Sequence, residues 1–441
     1  MPDSARATIE AVASAFTELP VDDGPDPGVD GPIGWRGYDG ARVSAAERTG
    51  ERESVVCGVG KVGDAEAMLI AFEFGYLGGS LGGRTGLRLE RAFGRARELG
   101  VPVVSLIATG GSRMQEGMRA LSQLQRIARE SALTRAAGLP QVAVLRDPTT
   151  GGGWATLGAG ADVTLALPGA QVGFAGSRVR PPGDPAAYTA EGQFASGHVD
   201  QLLDPAWLRA KLERWLRLLT TPGTEAVPPG ALGGADLPDT GWAAVQQARA
   251  ASRPRAESYV DAYFEWREDI SGDRCGGVDD GVLCGFGYRD GATIAYAAQC
   301  GTATRPAGFR TAARLVRLAD RLGIPVLTLV DTPGAANDAD AERAGIGPAI
   351  AEMFEAVASA RVPVTTLVIG EGGSGGALAF AAEGRTWVTP DSYFSVTSPE
   401  AAARILKRAE AEVPTTADQL RLRPQDLVEL GIARGIVTPT R

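Results

Sequence analysis

The chain contains a single histidine, His198, among 441 residues. A Ser-His or Cys-His nucleophile would have to use it. It lies in the polar run Ala195-Ser-Gly-His-Val-Asp200 with no G-x-S-x-G turn nearby, so it reads as a structural or surface residue. Cysteine is also scarce. Cys57, Cys275, Cys284 and Cys300 include no C-x-x-C pair, which fits reduced thiols rather than disulfides or zinc. No stretch reaches the roughly 18 uninterrupted apolar residues of a membrane span. Residues 1–20 lack the basic start and apolar centre of a leader, so a soluble, cytoplasmic protein with no membrane partner is expected. No glycine cluster is followed by Lys-Ser or Lys-Thr, which removes a P-loop. A formal net charge of -9 offers no overall attraction to a phosphate backbone, so nucleic acid is not an expected partner.

What is present is enough apolar material for two cores, 44% of the residues, in a chain too long for one. The 59 glycines and 28 prolines fall mostly at the ends of apolar runs, as turns do in an α/β protein. The most informative feature is an internal repeat. Leu99-Gly-Val-Pro-Val-Val-Ser-Leu-Ile-Ala-Thr-Gly-Gly111 is echoed by Leu322-Gly-Ile-Pro-Val-Leu-Thr-Leu-Val-Asp-Thr-Pro-Gly334, an offset of 223 positions from Leu99 to Leu322. At the same offset, the stretch 139–153 is echoed by 362–376. Each echo is a buried parallel strand ending in a glycine cluster and passing into a helix. Helices are expected over 115–137 and 154–161 in the first half, and over 347–360 and 376–382 in the second. The domains expected are an N-terminal extension at 1–31, with residues 1–19 a loosely attached helix, then a first domain at 32–220, a linker at 221–250 and a second domain at 251–441.

Gly370-Glu-Gly-Gly-Ser-Gly375 follows a strand and fits the dinucleotide fingerprint, with Asp391 about 20 residues on where a ribose ligand is expected. The cluster comes late in its half, however, as the counterpart of Gly152-Gly153, rather than after a first strand. A nicotinamide or flavin enzyme is therefore the weaker reading. Single glycine pairs usually just make tight turns. Matched clusters at strand ends in both halves suit a different task, presenting backbone N–H groups to oxygens that turn negative, an oxyanion hole in each half.

Several runs carry a resemblance. Ala71-Phe-Glu-Phe-Gly-Tyr-Leu-Gly-Gly-Ser-Leu-Gly82, Gly110-Gly-Ser-Arg-Met-Gln-Glu116, Asp147-Pro-Thr-Thr-Gly-Gly152 and Gly173-Phe-Ala-Gly-Ser-Arg178 resemble the β subunit of bacterial acetyl-CoA carboxylase carboxyltransferase. Arg253-Pro-Arg255, Gly272-Asp-Arg274, Asp331-Thr-Pro-Gly-Ala335, Gly370-Glu-Gly-Gly-Ser-Gly-Gly-Ala-Leu-Ala379 and Ser398-Pro-Glu400 resemble its α subunit. The resemblance implies an α/β chain with two crotonase-like ββα superhelix domains in tandem. It implies carboxyl transfer from carboxybiotin to the α carbon of an acyl-CoA, with the acyl-CoA on the first domain and biotin on the second. No side-chain base is needed, because each hole holds one oxygen as it becomes negative.

Carried over by motif, the thioester hole would use the N–H groups of Gly110, Gly111 and Ser112, and the biotin hole those of Gly375, Gly376 and Ala377. Substrate-binding loops would comprise Gly78, Gly79, Ser80, Gly151, Gly152, Gly334, Ala335, Gly372 and Gly373. Arg113 and Glu116 are expected to fix the first turn rather than to catalyse. The implied partners are a separate biotin carboxylase and biotin carboxyl carrier protein, since the chain has no Met-Lys-Met biotinylation site, and a homodimer or larger homo-oligomer. No cysteine precedes Cys57, so the zinc ribbon of β-type subunits is missing and no metal is expected. After Ala335 the run reads Ala336-Asn-Asp-Ala-Asp340 instead of the aromatic, proline and glycine residues usual there, placing two acids beside the biotin half. A malonyl-thioester decarboxylase on the same fold, independent of biotin, is the alternative. Fatty acid or polyketide precursor supply is the metabolic setting the resemblance suggests.

Overall fold

The computed structural model describes residues 4–20, 24 and 28–439. The chain divides into two compact units, Met1–Thr220 and Thr221–Arg441. In the first, β1 (Ala15–Glu18), β2 (Val55–Val62), β3 (Ala65–Phe72), β4 (Val103–Thr109), β5 (Gln141–Thr150), β6 (Val163–Ala166) and β8 (Gln201–Leu202) run in the order β1-β2-β3-β4-β5-β6-β8, with β7 (Val172–Gly173) beside β5. In the second, β9 (Trp266–Ile270), β10 (Val282–Arg289), β11 (Ala292–Gln299), β12 (Val326–Thr332), β13 (Val364–Gly373), β14 (Thr386–Val388) and β16 (Gly435–Ile436) run in the order β9-β10-β11-β12-β13-β14-β16, with β15 (Tyr393–Ser395) beside β13. The two orders are the same. Each sheet opens with antiparallel pairs and continues parallel from its third strand.

The 223-residue offset read from the sequence survives to the level of register. Val103 sits opposite Gln141 and Val326 opposite Val364, and both pairings shift at equivalent points, between Ile107 and Thr109 and between Val330 and Thr332. Local chemistry explains the shared form. The hairpin before each long helix is tight, and in the second unit Asp290 and Gly291 take φ of 50° and 82°, the conformation that matches strand twist in a two-residue loop. The long helices Gly83–Leu99 and Pro306–Leu322 both stop at a left-handed glycine, Gly100 or Gly323, whose N–H caps the last turn. The central strands β4 and β12 are buried along their whole length, which accounts for their mainly apolar sequences. In the first unit Leu89, Phe93 and Ala96 of the helix join Ile70, Ile107 and Leu145 in one core. In the second, Tyr259 and Phe264 pack with Tyr296, Leu329 and Ile369.

Several expectations differ from the structure, among them the helix expected over 376–382, which runs Ser374–Leu378, and that over 154–161, which ends at Gly158. Residues 1–3 of the expected loose helix lie outside the described residues, and 4–19 are not loosely attached: the helix is Ala5–Val12, its apolar face buried, and β1 then joins the sheet edge against β2. Buried Glu73 accepts the Ala5 N–H at 2.8 Å, tying the segment down. The expected helix over 115–137 is broken, because Gly117 takes φ 54° and ψ -135°, and the regular helix is Gln123–Ala136. The expected linker contains the helix Gly241–Arg249, with Ala244, Val245 and Ala248 buried against Tyr393 and Leu422. Among the described residues no helix is long and apolar enough to cross a membrane.

The turn after β5 begins at Gly151 and its counterpart after β13 at Ser374, both with φ of 60°. Serine carries a cost there that glycine avoids, roughly 1–2 kcal/mol. Ser374→Gly is therefore expected to raise the denaturation midpoint of the protein and Gly151→Ser to lower it, measured by urea titration. Equal shifts in one direction would contradict this reading of the two turns.

Candidate active site

Both units place a glycine turn after their fourth strand against a second one after their fifth. In the first unit the strand ends are stitched by Thr149 Oγ1, which donates to the Ile107 carbonyl at 3.0 Å, and Thr150 Oγ1, which donates to that of Thr109 at 3.2 Å. Gly111, at φ 101°, then lies flat on Gly151, where a Cβ would meet the Gly151 Cα at 3.5 Å. The Leu81 N–H donates to the Gly111 carbonyl at 2.8 Å and the Arg113 N–H to that of Leu81 at 2.9 Å, so the loop carrying Gly78, Gly79 and Ser80 runs alongside. Gly79 has no room for a side chain, which would overlap the Ala108 carbonyl.

These bonds decide which N–H groups remain available. The Gly110 N–H donates to the Gly78 carbonyl at 2.9 Å, and the Gly111 N–H donates to Thr109 Oγ1 at 3.1 Å. Of the three donors expected for the thioester, only the Ser112 N–H has no acceptor among the described residues. The first residues of a helix leave their N–H groups without intrahelical partners. The helix opening at Gly151 thus adds Gly152 and Gly153, while the Gly151 N–H is taken by the Phe174 carbonyl at 3.1 Å.

The second unit repeats three of these bonds, although Pro333 stands at the counterpart of Gly110 and has no N–H to donate. The Gly334 N–H donates to Thr332 Oγ1 at 3.1 Å, the Thr304 N–H to the Gly334 carbonyl at 3.1 Å, and the Ala336 N–H to that of Thr304 at 2.9 Å. Ala335 is the counterpart of Ser112, and Gly375 and Gly376 are those of Gly152 and Gly153. Ala377 is the fourth residue of the helix Ser374–Leu378, where an N–H closes the first helical bond to the residue four before it, Gly373. A side chain on Gly376 would overlap the Ala335 backbone nitrogen, and one on Gly373 the Pro333 carbonyl. Gly372 packs on Phe394, where a Cβ would come to 2.7 Å. Gly375 is exposed, with nothing within 4 Å of its Cβ position. Buried Gln299, which the motifs did not single out, braces the turn by donating from Nε2 to the Gly376 carbonyl and to Thr304 Oγ1, both at 3.1 Å.

The anchors behind the turns differ. In the first unit fully buried Arg113 pairs with Glu53, contacts Glu116 at 3.3 Å, and donates to the Ser80 carbonyl at 2.8 Å. Glu116 also accepts from Tyr38 at 2.6 Å and from the Gly83 N–H at 2.6 Å. Burial would raise the Glu53 carboxyl, but the Arg113 guanidinium outweighs it and holds the group below its usual range. Arg113 and Glu116 thus do fix the first turn. In the second unit buried Asp331 accepts from Arg253 at 2.7 Å, Arg255 at 3.1 Å and the Glu371 N–H at 3.1 Å. Arg249 ties the same loop to its neighbours, bonding Glu371 at 2.8 Å and Glu400 at 2.6 Å.

Other sequence candidates fall away from this chemistry. Gly370 lies within β13, where its missing side chain makes room for the Arg253–Asp331 pair, and Asp391 is buried and bonded by Thr389 Oγ1 at 2.7 Å, so the dinucleotide reading does not fit. His198 is half-buried with Nδ1 3.0 Å from Gln193 Oε1. The four cysteines are unbridged, and burial pushes the Cys57 thiol up to about 12 and that of Cys300 up to about 11, far from a reactive thiolate. Among the described residues no group of three or more His, Cys, Asp and Glu side chains is placed to hold a metal. Asp338 and Asp340 are exposed. Asp338 caps the helix Ala339–Arg343 through the Ala341 N–H at 2.9 Å and pairs with Arg305 at 3.2 Å, which lowers its carboxyl below the usual value, and Asp340 pairs with Arg343 at 2.7 Å.

Comparison with known proteins agrees with this geometry. The family description "Carboxyl transferase domain" matches residues 36–182, and "Acetyl co-enzyme A carboxylase carboxyltransferase-like" matches 238–440. The acetyl-coenzyme A carboxylase carboxyl transferase subunits beta/alpha of Saccharopolyspora erythraea is 38% identical over 91% of this chain and 74% of that one. A probable biotin-dependent acyl-coenzyme A carboxylase beta3 subunit of Mycobacterium bovis is 32% identical over 90% of this chain and 82% of its own length. Among solved structures, the transcarboxylase 12S hexamer core with hydrolysed methylmalonyl-coenzyme A superposes with a TM-score of 0.82 at 20% identity, covering 99% of this chain and 87% of that one. A single-chain, multi-domain long-chain acyl-CoA carboxylase gives 0.77 at 19% identity, over 99% and 44%. The tandem crotonase-like fold is thereby shown. With two family descriptions on its two units and fused relatives matching about nine tenths of its length, the chain belongs to the acyl-CoA carboxylase carboxyltransferases of the fused beta/alpha type.

Proposed function

We propose that the chain transfers a carboxyl group between carboxybiotin and the α carbon of an acyl-CoA, with the first unit holding the thioester and the second the biotin ureido group. The observation carrying this reading is the same hydrogen-bonded pair of glycine turns built twice, each leaving N–H groups uncommitted. In the first unit Ser112, Gly152 and Gly153 hold the thioester oxygen as enolate charge develops. In the second, Ala335, Gly375 and Gly376 do the same for a ureido oxygen. That turn fits the group: Gly375 is open and exposed, and the acids Asp338 and Asp340 are spent on a helix cap and two arginines. Carboxybiotin, brought by a carrier protein, supplies the carboxyl group and, after its loss, the base for the α proton. The chain's task is to position both partners and stabilise charge, which agrees with the absence of any histidine or thiol at the turns. A separate biotin carboxylase and carrier protein, a homo-oligomeric state and a cytoplasmic location complete the proposal.

The test of the donor follows malonyl-CoA turnover by the isolated chain. Release of carbon dioxide is expected to be slow alone and to accelerate when free biotin or a biotinylated carrier is added. Fast release indifferent to biotin would favour the decarboxylase and overturn the transferase.

The donors are tested by paired substitutions. Proline is tolerated in a first helical turn and lacks an N–H, so Gly375→Pro removes one donor without breaking the helix, whereas Gly375→Ala keeps it. Proline is expected to lower kcat about 100-fold or more and alanine only slightly, since losing one such donor costs about 2.7–4 kcal/mol. Ser112→Pro against Ser112→Ala makes the same comparison in the first unit. Circular dichroism checks the fold, and equal activities within either pair would remove that residue from the site.

A further inference from the structure

A cavity of about 220 Å³ lies in the first unit behind the Arg113 network, walled in part by Arg42, Arg84, Arg119 and Arg126. The acids in its wall, Glu53 and Glu116, are already committed. Glu53 is bound to Arg113, and Glu116 accepts from Tyr38, Gly83 and Arg113. Arg126 has Glu90 at 3.1 Å, and Arg42 has Asp39 at 3.4 Å. Arg84 and Arg119 have no acidic partner among the described residues, and among them the buried Arg84 Nε has no acceptor. Arg84 also stands in the first turn of the helix Gly83–Leu99, whose N-terminal end favours negative charge.

We propose that this cavity binds a phosphate-bearing ligand, with Arg84 and Arg119 as its principal contacts and Arg42 and Arg126 adding charge. Planar guanidinium forks match phosphate oxygens in pairs, and Arg84 and Arg119 are the two in this wall whose charge no neighbouring carboxylate meets. The overall negative chain makes this local reversal of sign the more selective. Two sources carry the required chemistry, the phosphorylated nucleotide end of the acyl-CoA and a separate phosphorylated effector. The first source rests on the function proposed above and the second does not.

The test uses equilibrium dialysis of the whole protein with 3′,5′-ADP and with inorganic phosphate, comparing wild type with Arg84→Ala, Arg119→Ala and the double variant. Wild type is expected to bind at least one probe, with affinity falling about tenfold or more in each single variant. Arg119 is exposed, so its variant keeps the test decisive if replacing Arg84 harms folding. Steady-state rates then separate the sources. If the nucleotide end of the substrate occupies the cavity, KM for the acyl-CoA rises with kcat unchanged while KM for the matching acyl-pantetheine does not move. If KM is unaltered while phosphate binding is lost, the ligand is an effector. Failure of wild type to bind either probe, or variants that bind as well as wild type, overturns the proposal. Because dialysis needs no turnover, that outcome is independent of the carboxyltransferase reading.

Discussion

Two backbone turns meet main chain to main chain in each unit, so closely in the second that side chains are excluded between them, and the rest of the structure serves that approach. Gly376 against Ala335, Gly373 against Pro333 and Gly111 against Gly151 are contacts of main chain on main chain. A parallel sheet supplies the geometry. Adjacent strands β4 and β5, like β12 and β13, end side by side, and the shift in their register sets one turn over the start of the next helix. The chemistry proposed for these turns needs N–H groups rather than acids or bases, which backbone alone supplies in a chain with one histidine.

The repeat is stricter at the turns than behind them. Thr109 and Thr332 receive equivalent N–H groups at the same 3.1 Å, and Leu81 and Thr304 make equivalent pairs of bonds. The buried charges holding the turns share no such equivalence: Arg113 with Glu53 and Glu116 in one unit, Arg253 and Arg255 with Asp331 in the other. Removing one member of such a pair leaves an uncompensated charge in the interior, so each anchor is constrained as a set even where its residues differ.

Fold and repeat are legible in the sequence because strand burial and helix-stopping glycines are local signals, as in the runs from Leu99 and Leu322. The choice of donors is only half legible. Glycine composition marks where N–H groups come close to a ligand but not which are already bonded, and the acceptor for Gly110 is Gly78, more than thirty residues away in sequence. Ala377 reads as a donor because the left-handed turn at Ser374, which sets where the helix starts, leaves no mark in the sequence. Gly153 stands outside the motifs that point to donors, although the repeat already offers it, lying 223 positions before Gly376. Tyr38 and Glu53, distant partners of Arg113, carry no motif, and β1 is too short and mixed to read as a strand.

The decisive quantity is where the two reacting oxygens sit. A crystal structure of the protein with an acyl-CoA and a biotin derivative measures this directly. The thioester oxygen is expected about 2.7–3.1 Å from the nitrogen of Ser112 and of Gly152 or Gly153, and the ureido oxygen equally close to Ala335 and to Gly375 or Gly376. A thioester oxygen bound instead by side chains, or a biotin ring lodged away from the Ser374–Leu378 helix, would contradict the assignment of these turns.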